Sequence, residues 1–247
     1  MPQKTFRKTS VIGGTSGIAK ETVKQLSGLE QVVLVGRSEP KLREAALEVG
    51  RPEAALIEFS GTTPEAIMGL AESLPLDLDL LLVAQGMLRN SSETSLSVLE
   101  EMTDANFTLP ALLIEAYVAR RFRKEGSTKP LTIAAVSSVA GDRPRASNYW
   151  YGTTKAALSA FLPGLEARCR QQGYPVSVSV IKPGLVATRM IETRKDRRMV
   201  ADPRLAGAVI ARGLEWGKRE IYVPGWWRWI MLGMKHLPYQ IFLRVKS

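Results

Sequence analysis

A serine, a tyrosine and a lysine in one short stretch have the types and the spacing for proton transfer. Ser138 is followed thirteen residues later by Tyr151, and Lys155 comes four residues after the tyrosine. In a helix, residues four apart share one face, so the Lys155 ammonium would lie about one turn from the Tyr151 phenol. A neighbouring positive charge favours phenolate and is expected to lower the pKa of the phenol. Such a phenol can exchange a proton with a substrate near neutral pH.

A buried strand and a long helix are predicted to position these three side chains. Residues 131–138 read LTIAAVSS, which predicts a strand with Ser138 at its carboxyl end. Open α/β sheets bind their ligands at that end. A helix predicted over residues 148–172 carries Tyr151 and Lys155.

A glycine-rich turn near the amino terminus predicts a dinucleotide site. Gly13 and Gly17 lie in IGGTSGIA, after a strand predicted over residues 9–13 and before a helix that extends to about residue 28. Glycine lets the backbone approach a pyrophosphate, and a helix amino terminus favours its charge. An ordinary strand-to-helix turn is the alternative, but the flanking strand and helix favour the nucleotide.

The end of the second predicted strand, residues 31–36, favours NADP. Arg37 and Ser38 follow that strand. An acid at this place would bind the ribose hydroxyls of NAD, whereas an arginine accommodates the 2′-phosphate of NADP. NADPH is therefore the predicted cofactor. NAD is kept as an alternative, and the structural alternative for Arg37 is a solvated loop residue.

Strands and helices alternate along the chain, which predicts an α/β fold. We expect a single-domain Rossmann fold, a doubly wound parallel sheet of about seven strands with helices on both faces. The remaining strands are predicted at residues 54–59, 77–84, 176–181 and 220–223. The remaining helices are predicted at 40–49, 63–74, 96–124 with a kink at Pro110, and 201–216. Residues 1–224 would form the dinucleotide-binding and catalytic domain, and residues 225–247 an apolar and basic extension.

Composition limits the function classes. The chain has 247 residues, 45% of them hydrophobic, with one cysteine, Cys169, and one histidine, His236. A single cysteine excludes an internal disulfide, and without a Cys/His cluster no zinc or other metal is expected. A single histidine near the end of the sequence disfavours a Ser-His-Asp triad. No apolar run approaches the roughly 18 residues of a membrane span, and the first thirty residues lack a signal core. We expect a cytoplasmic protein, with contact to the inner face of the membrane as an open alternative.

The formal net charge is +10, from 34 Lys and Arg against 24 Asp and Glu. This charge suits an anionic cofactor, substrate, membrane surface or nucleic acid. No nucleic-acid recognition motif is present, so no nucleic-acid partner is expected. Basic residues cluster after Thr188 and again between Ser138 and Tyr151, and they predict either solvated loops or attraction of an anionic substrate: Arg189, Arg194, Lys195, Arg197, Arg198, Arg143 and Arg145.

Together these motifs resemble the short-chain dehydrogenase/reductase family over nearly the whole chain. The turn IGGTSGIA resembles the family's TGxxxGxG, and Ser138 with Tyr151 and Lys155 matches its catalytic serine and YxxxK. Ala84-Gln85-Gly86 resembles the Asn-Ala-Gly turn without its asparagine. Pro183-Gly184 with Thr188 matches the segment beside the nicotinamide. Ala19 replaces the last glycine of the first motif, and Glu58 replaces an aspartate near the adenine.

The resemblance implies an NADP-dependent oxidoreductase that interconverts a ketone and a secondary alcohol. Tyr151 would be the general acid/base, Ser138 would bind the carbonyl oxygen, and Lys155 would tune Tyr151 and hold the ribose. Asn106 would hold a water that leads to Lys155, or it is simply a polar residue at a helix kink. Ser137 is predicted to be structural. The family is usually dimeric or tetrameric. The residues expected to contact the cofactor are Gly13, Thr15, Ser16, Gly17, Ile18, Arg37, Ser38, Glu58, Ala84, Gln85, Gly86, Tyr151, Lys155, Pro183, Gly184, Val186 and Thr188.

Two alternatives stay open. The first is a non-catalytic dinucleotide-binding scaffold or sensor, which the intact Ser138, Tyr151 and Lys155 disfavour. The second concerns the substrate, because the stretch around Tyr151 and the tail YVPGWWRWIMLGMKHLP resemble a bacterial branch that includes reductases of lipid-linked keto-sugars, such as decaprenylphosphoryl-2-keto-ribose reductase. Tryptophans with basic neighbours in this tail suit a membrane–water boundary, but packing on the domain, in the pocket or against a subunit is weighed slightly above that role.

Overall fold

Seven parallel strands form one sheet at the centre of the molecule. The computed structural model describes residues 3–89, 95–188 and 199–244. The strands are β1 (Lys8–Ile12), β2 (Gln31–Gly36), β3 (Ala55–Glu58), β4 (Leu80–Val83), β5 (Leu131–Val136), β6 (Val176–Pro183) and β7 (Glu220–Val223). Their order across the sheet is β3-β2-β1-β4-β5-β6-β7. The predicted doubly wound sheet of about seven strands is confirmed, with bounds that differ by up to three residues.

Helices cover both faces of the sheet. They are α1 (Gly17–Gln25), α2 (Glu39–Glu48), α3 (Pro64–Ser73), α4 (Leu96–Thr103), α5 (Leu109–Val118), α6 (Tyr149–Gln171), α7 (Pro203–Glu215), α8 (Trp227–His236) and α9 (Tyr239–Phe242). One core lies between the sheet and α1, α2 and α7. The other lies between the sheet and α3, α5 and α6.

Strand side chains alternate between these two cores. In β4, Leu80 and Leu82 face the α1, α2 and α7 side, while Leu81 and Val83 face the α3, α5 and α6 side. Successive side chains of a strand point to opposite faces, so a strand buried on both sides is apolar throughout. This is why β4 consists of four consecutive apolar residues, all buried.

The switch point of the sheet lies at the carboxyl end of β1. Ile12 pairs with Val35 of β2 on one side and with Val83 of β4 on the other. The chain leaves β1 toward β2 and β3, and it later crosses back to add β4 to β7 on the opposite side. Connections that diverge in this way leave a crevice outside the strand ends, which is where such sheets bind ligands.

The helical stretch between β4 and β5 is interrupted in a form that was not predicted. The predicted interruption lies in the turn that precedes Pro110. A π-helical turn occupies Asp104–Thr108 there, and it includes Asn106, whose carbonyl would otherwise accept from the N–H that proline lacks. A second π-helical stretch covers Ala119–Lys124. Thr63 is the N-cap of α3, and its side chain accepts a hydrogen bond from the Ala66 amide.

The carboxyl-terminal segment forms two short helices that continue from β7. Trp227 and Met231 of α8 are buried against Val139 and Tyr222. Pro238 separates α8 from α9. Within residues 3–89, 95–188 and 199–244, every helix falls short of the length and apolar character that a membrane crossing needs. The division into a domain of residues 1–224 and an extension stays a prediction.

Candidate active site

The first glycine turn packs directly on the end of β4. Gly13 has a φ of +83°, a conformation that side chains beyond glycine rarely adopt. A Cβ atom at this position would lie 2.7 Å from the Gln85 amide nitrogen. The Ala84 amide donates to the Ile12 carbonyl at 2.8 Å, so the turns after β1 and β4 pack against each other at the bottom of the crevice. The backbone therefore leaves space in this crevice for a bound group, and a side chain at Gly13 would fill that space.

The amino terminus of α1 opens onto the same crevice. Ser16 is its N-cap, with a side-chain oxygen 3.5 Å from the Ala19 amide. The first turn of α1 contains no acidic residue, so its amides and dipole favour an anion. A Cβ at Gly17 would lie 3.2 Å from the Thr188 methyl group, which brings the segment after β6 opposite the turn. These features fit the pyrophosphate of a dinucleotide.

Three of the expected cofactor residues meet at the end of β2. Arg37 is exposed there, and Ser38 is the N-cap of α2 with no side-chain cap hydrogen bond. The Glu58 carboxylate comes from the paired end of β3 and accepts a hydrogen bond from the Glu39 amide at 3.2 Å. The structure thus brings these three side chains to one edge, and it also places a carboxylate beside the arginine.

Ser138 begins a tight turn directly after β5. Its side-chain oxygen accepts from the Ala140 amide at 3.1 Å, and its hydroxyl lies 3.5 Å from the Pro183 carbonyl. The turn, Val139–Gly141, is a single 3₁₀ turn whose residues are all buried. Ser137 points elsewhere, because its hydroxyl donates to the Lys155 carbonyl at 2.8 Å. Ser137 therefore has the structural role that the sequence predicted.

Two glycines allow the Ser138 turn to pack against α6. A Cβ at Gly141 would lie 2.8 Å from the Lys155 carbonyl carbon. A Cβ at Gly152 would lie 2.7 Å from the Ala140 carbonyl oxygen. Both contacts are with backbone, which cannot rotate away as a side chain can. The absence of two side chains thus sets the distance between the serine turn and the helix that carries Tyr151 and Lys155.

The pKa of Tyr151 is shifted in the direction opposite to the sequence-based expectation. Burial of the phenol raises its pKa, and a hydrogen bond with the Ser138 side chain acts in the opposite direction but does not outweigh burial. The expectation considered only the attraction of a neighbouring ammonium. It left out the cost of placing a phenolate in a site with little water.

Lys155 is a buried amine with an unusual pKa. Its side chain is 2% exposed, and its Nζ atom donates to the Val136 carbonyl at 2.8 Å. Removal from water lowers the pKa of Lys155 from 10.5 to about 7. An amine with this pKa can gain or lose a proton near neutral pH, which a surface lysine does not do.

Asn106 fixes the second glycine turn beside Lys155. Its Oδ1 atom accepts from the Met87 amide at 2.8 Å, and its Nδ2 atom donates to the Met87 carbonyl at 2.9 Å. A Cβ at Gly86 would lie 2.9 Å from Asn106 Oδ1 and 3.1 Å from Lys155 Nζ. The asparagine lies in the π-helical turn and is fully buried. It therefore has the contacts of a brace, and its role in holding a water stays a prediction.

Sequence reasoning missed a buried ionic network behind the Ser138 turn. The Asp142 carboxylate accepts from Lys182 Nζ at 2.9 Å, from the Tyr222 hydroxyl at 2.7 Å and from Lys235 Nζ at 2.9 Å. Burial alone would raise the pKa of Asp142, but these three hydrogen bonds outweigh burial and lower it. Lys182 also pairs with Glu220. The sequence contains one sign of this network, because Lys182 is a charged residue directly before Pro183, at the end of the buried strand β6.

Sequence reasoning also missed how the tail meets the nicotinamide segment. The Trp227 indole lies against Gly184 so closely that a Cβ there would overlap its ring. The indole nitrogen is buried without a hydrogen-bond partner among the described residues. The predicted site residues at this corner were Pro183 and Gly184, whereas the structure shows that α8 forms its outer wall.

The predicted basic loop is described only in part. Arg189, Arg194, Lys195, Arg197 and Arg198 lie outside the described residues. Arg143 faces the tail rather than a substrate cleft, because its guanidinium donates to the carbonyls of Met234 and Leu237 at the end of α8. Within the described part of the chain, no three His, Cys, Asp or Glu side chains form a group that could hold a metal ion.

The contact at Gly141 leads to a first prediction. Gly141→Ala would push the Ser138 turn away from α6, because the added methyl meets backbone atoms at 2.8–3.1 Å. We expect turnover to fall by roughly tenfold or more, since misplaced reacting groups lose that much. Gly164→Ala is the control, because Gly164 lies in α6 itself and the new Cβ would have nothing within 4 Å. Equal turnover of the two variants, both folded by circular dichroism, would contradict the argument.

The pKa of Lys155 leads to a second prediction. Between pH 7 and pH 9 the unfolded chain keeps the proton on this lysine while the folded protein releases it, so stability rises with pH. The contribution over this interval is about 2 kcal/mol of unfolding free energy. Denaturant titrations at both pH values should show that this gain is missing in Lys155→Met and present in Lys218→Met, an exposed lysine. The same gain in both variants would mean that Lys155 is not the titrating group.

Comparisons with known proteins agree with this geometry. Residues 7–199 match the family model for short chain dehydrogenase. An uncharacterized oxidoreductase of Streptomyces coelicolor is 30% identical over 97% of this chain and 96% of its own length. A polyprenol dehydrogenase of Mus musculus is 25% identical over 77% of this chain and 63% of its own length.

A solved structure of a short chain dehydrogenase from Burkholderia cenocepacia, in complex with NADP, shares the fold. It superposes with a TM-score of 0.80 over the full length of both chains, at 19% identity. The family model covers most of the chain and includes the glycine turn, Ser138, Tyr151 and Lys155. The chain therefore belongs to the short-chain dehydrogenase family, whose relatives are oxidoreductases.

Proposed function

We propose that the protein interconverts a ketone and a secondary alcohol with NADP, and that Tyr151 is the general acid/base. The observation that carries this proposal is the packing of the Ser138 turn on the helix of Tyr151 and Lys155, beside a glycine cradle for a dinucleotide. The fold alone would not support it, because one fold serves many functions. The argument depends on these side chains.

Each residue of the site has a proposed role in the reduction direction. The nicotinamide cofactor supplies the hydride when it is bound. Ser138 donates a hydrogen bond to the carbonyl oxygen, on which negative charge develops. Tyr151 gives its proton to that oxygen, and its raised pKa keeps the proton on the phenol until then. Lys155 exchanges a proton near neutral pH and can restore the one that Tyr151 gives up.

The preference for NADP rests on the end of β2. Arg37 is exposed at this edge, and Ser38 has no side-chain cap hydrogen bond that would occupy its hydroxyl. A guanidinium and a hydroxyl suit a phosphate. The structural relative in complex with NADP supports the same choice. The glycine turns, Pro183, Gly184, Val186 and Thr188 would hold the rest of the cofactor, and NAD remains the weaker alternative.

A non-catalytic scaffold is the second candidate, and one observation weighs against it. Burying an amine as completely as Lys155 opposes folding, because the charged form loses its hydration. A protein that only bound a dinucleotide could contact the ribose with Lys155, but it would have no use for an amine that titrates near neutral pH. Strained or costly groups are typical of catalytic sites.

The substrate class we propose is a lipid-linked alcohol or ketone. One relative is named a polyprenol dehydrogenase, which names a lipid alcohol. In this chain the wall beside Gly184 is the apolar helix α8. From the family resemblance we propose a cytoplasmic homodimer or homotetramer with a small-molecule substrate, and sedimentation velocity tests that assembly.

Replacing Tyr151 tests the proposed acid. Tyr151→Phe removes only the hydroxyl, so cofactor affinity should stay within about twofold while turnover falls by roughly 10²–10⁴-fold. The matched control is Tyr149→Phe, a tyrosine two residues earlier that is exposed. Both variants are assayed on a carbonyl substrate that the parent reduces. A Tyr151→Phe enzyme as active as its control would rule out this residue as proton donor.

Replacing Arg37 tests the proposed cofactor. A charge-assisted contact with the 2′-phosphate contributes about 1.5–3 kcal/mol, so Arg37→Ala should weaken NADPH roughly tenfold or more and leave NADH nearly unchanged. Arg7→Ala is the control, because Arg7 lies at the opposite end of β1 and pairs with Glu30. Titration calorimetry with both cofactors measures the difference. Equal weakening of NADPH and NADH would contradict the assignment.

A further inference from the structure

The outer face of the two carboxyl-terminal helices is apolar and lacks a covering element among the described residues. Trp227 and Met231 face inward, and the opposite side of α8 is exposed, with Trp229 at 69%. Nearly half of the large exposed apolar side chains in the described structure lie in this segment. We call this surface the tail face, and its members are Trp226, Trp229, Ile230, Leu232, Tyr239, Ile241 and Leu243.

Exposed apolar side chains scattered singly need no explanation, but a continuous group does. The tail face extends over both α8 and α9, which follow each other with only Leu237 and Pro238 between them. Its apolar area opposes solubility unless something covers it. The segment is therefore an interaction surface, and its chemistry indicates what it binds.

The charged residues of the tail segment itself are of one sign. Residues 224–247 contain no Asp or Glu, and their described basic residues are Arg228, Lys235 and Arg244, of which Lys235 pairs with Asp142. Arginine and lysine beside an apolar helix face bind anionic lipid headgroups, each contributing attraction near the surface. A second copy is a poorer partner, because a two-fold contact would bring the same basic residues together without an acid from this segment.

The residue types also fit a lipid surface better than a protein groove. Tryptophan has an apolar body and a polar N–H, so it suits the boundary between acyl chains and water. Helix α8 has ten residues and is about 15 Å long, which is half the thickness of the hydrocarbon core. A helix of this kind lies in the interface and does not cross it.

We propose that the tail face docks the protein on an anionic lipid bilayer. The docking stands on the tail alone, and only the link to a lipid-linked substrate depends on the proposed function. Three contacts connect the tail with the active site: Trp227 against Gly184, Lys235 with Asp142, and Arg143 with the end of α8. The Arg143 guanidinium also lies 4.1 Å from the centre of the Phe242 ring. Docking would therefore hold the residues around Gly184 and the Ser138 turn close to the lipid surface, one helix away from it.

Vesicle sedimentation of the full chain tests the proposal. The probes are vesicles of phosphatidylcholine alone and of phosphatidylcholine mixed with phosphatidylglycerol. We expect the protein to sediment with the anionic vesicles, and high salt should release part of it. Trp229→Ala should weaken partitioning roughly tenfold, a change of about 1.4 kcal/mol. Trp216→Ala is the matched control, because Trp216 is 56% exposed but ends α7 just before β7, whereas α8 follows the other end of that strand.

Charge is tested in the same assay. Arg228→Glu should lower binding to the anionic vesicles, whereas Arg123→Glu, an exposed arginine outside the tail, should leave it unchanged. Tyr151→Phe should bind like the parent, so that failure of the catalytic proposal is separate from failure of docking. No sedimentation on either vesicle, or equal loss in Trp229→Ala and Trp216→Ala, would overturn the proposal. A dimer that Trp229→Ala converts to monomer, without vesicle binding, would overturn it in favour of a second copy.

Discussion

The close backbone contact between the Ser138 turn and α6 is the constraint on which the site depends. Gly141 and Gly152 each leave out a side chain where two backbones meet, so the serine after β5 and the tyrosine in α6 come from elements that cannot separate without losing this contact. The contact also buries Lys155 beneath the turn, where its amine donates to the Val136 carbonyl. The same packing therefore places Tyr151 beside the Ser138 turn and, by burying Lys155, lowers the pKa of that lysine.

A second layer holds this turn from behind. Asp142 follows the turn directly and gathers hydrogen bonds from β6, β7 and α8 through Lys182, Tyr222 and Lys235. Buried ion pairs add little net stability, because desolvation offsets their attraction, but removing one partner is costly. The network therefore fixes geometry more than it stabilises the fold. It connects the catalytic turn to the strand that ends in Pro183.

The sequence predicted the sheet well because buried parallel strands are short apolar runs, and each predicted strand has its counterpart. It placed Ser138 after a strand and Tyr151 and Lys155 in one helix, because strand ends and helical spacing follow from local pattern; their roles in the reaction stay a prediction. It predicted an interruption at Pro110 but not its π-helical form at Asp104–Thr108, where Asn106 is buried in contact with Met87, nineteen residues away in the chain. It also gave the wrong direction for the pKa of Tyr151, because burial by distant residues has no local signature.

The tail shows why packing and exposure need not be alternatives. From the sequence, packing on the domain and contact with a membrane were alternative roles for the tail, and each excluded the other. In the structure the two sides of α8 divide these roles. Trp227 and Met231 pack toward Val139, while Trp229 and Ile230 face away. A helix that met solvent on its outer side alone would favour polar residues there. The inward residues of α8 are explained by packing beside Gly184, and the exposed Trp229, Ile230 and Leu232 are the apolar residues for which we propose a partner.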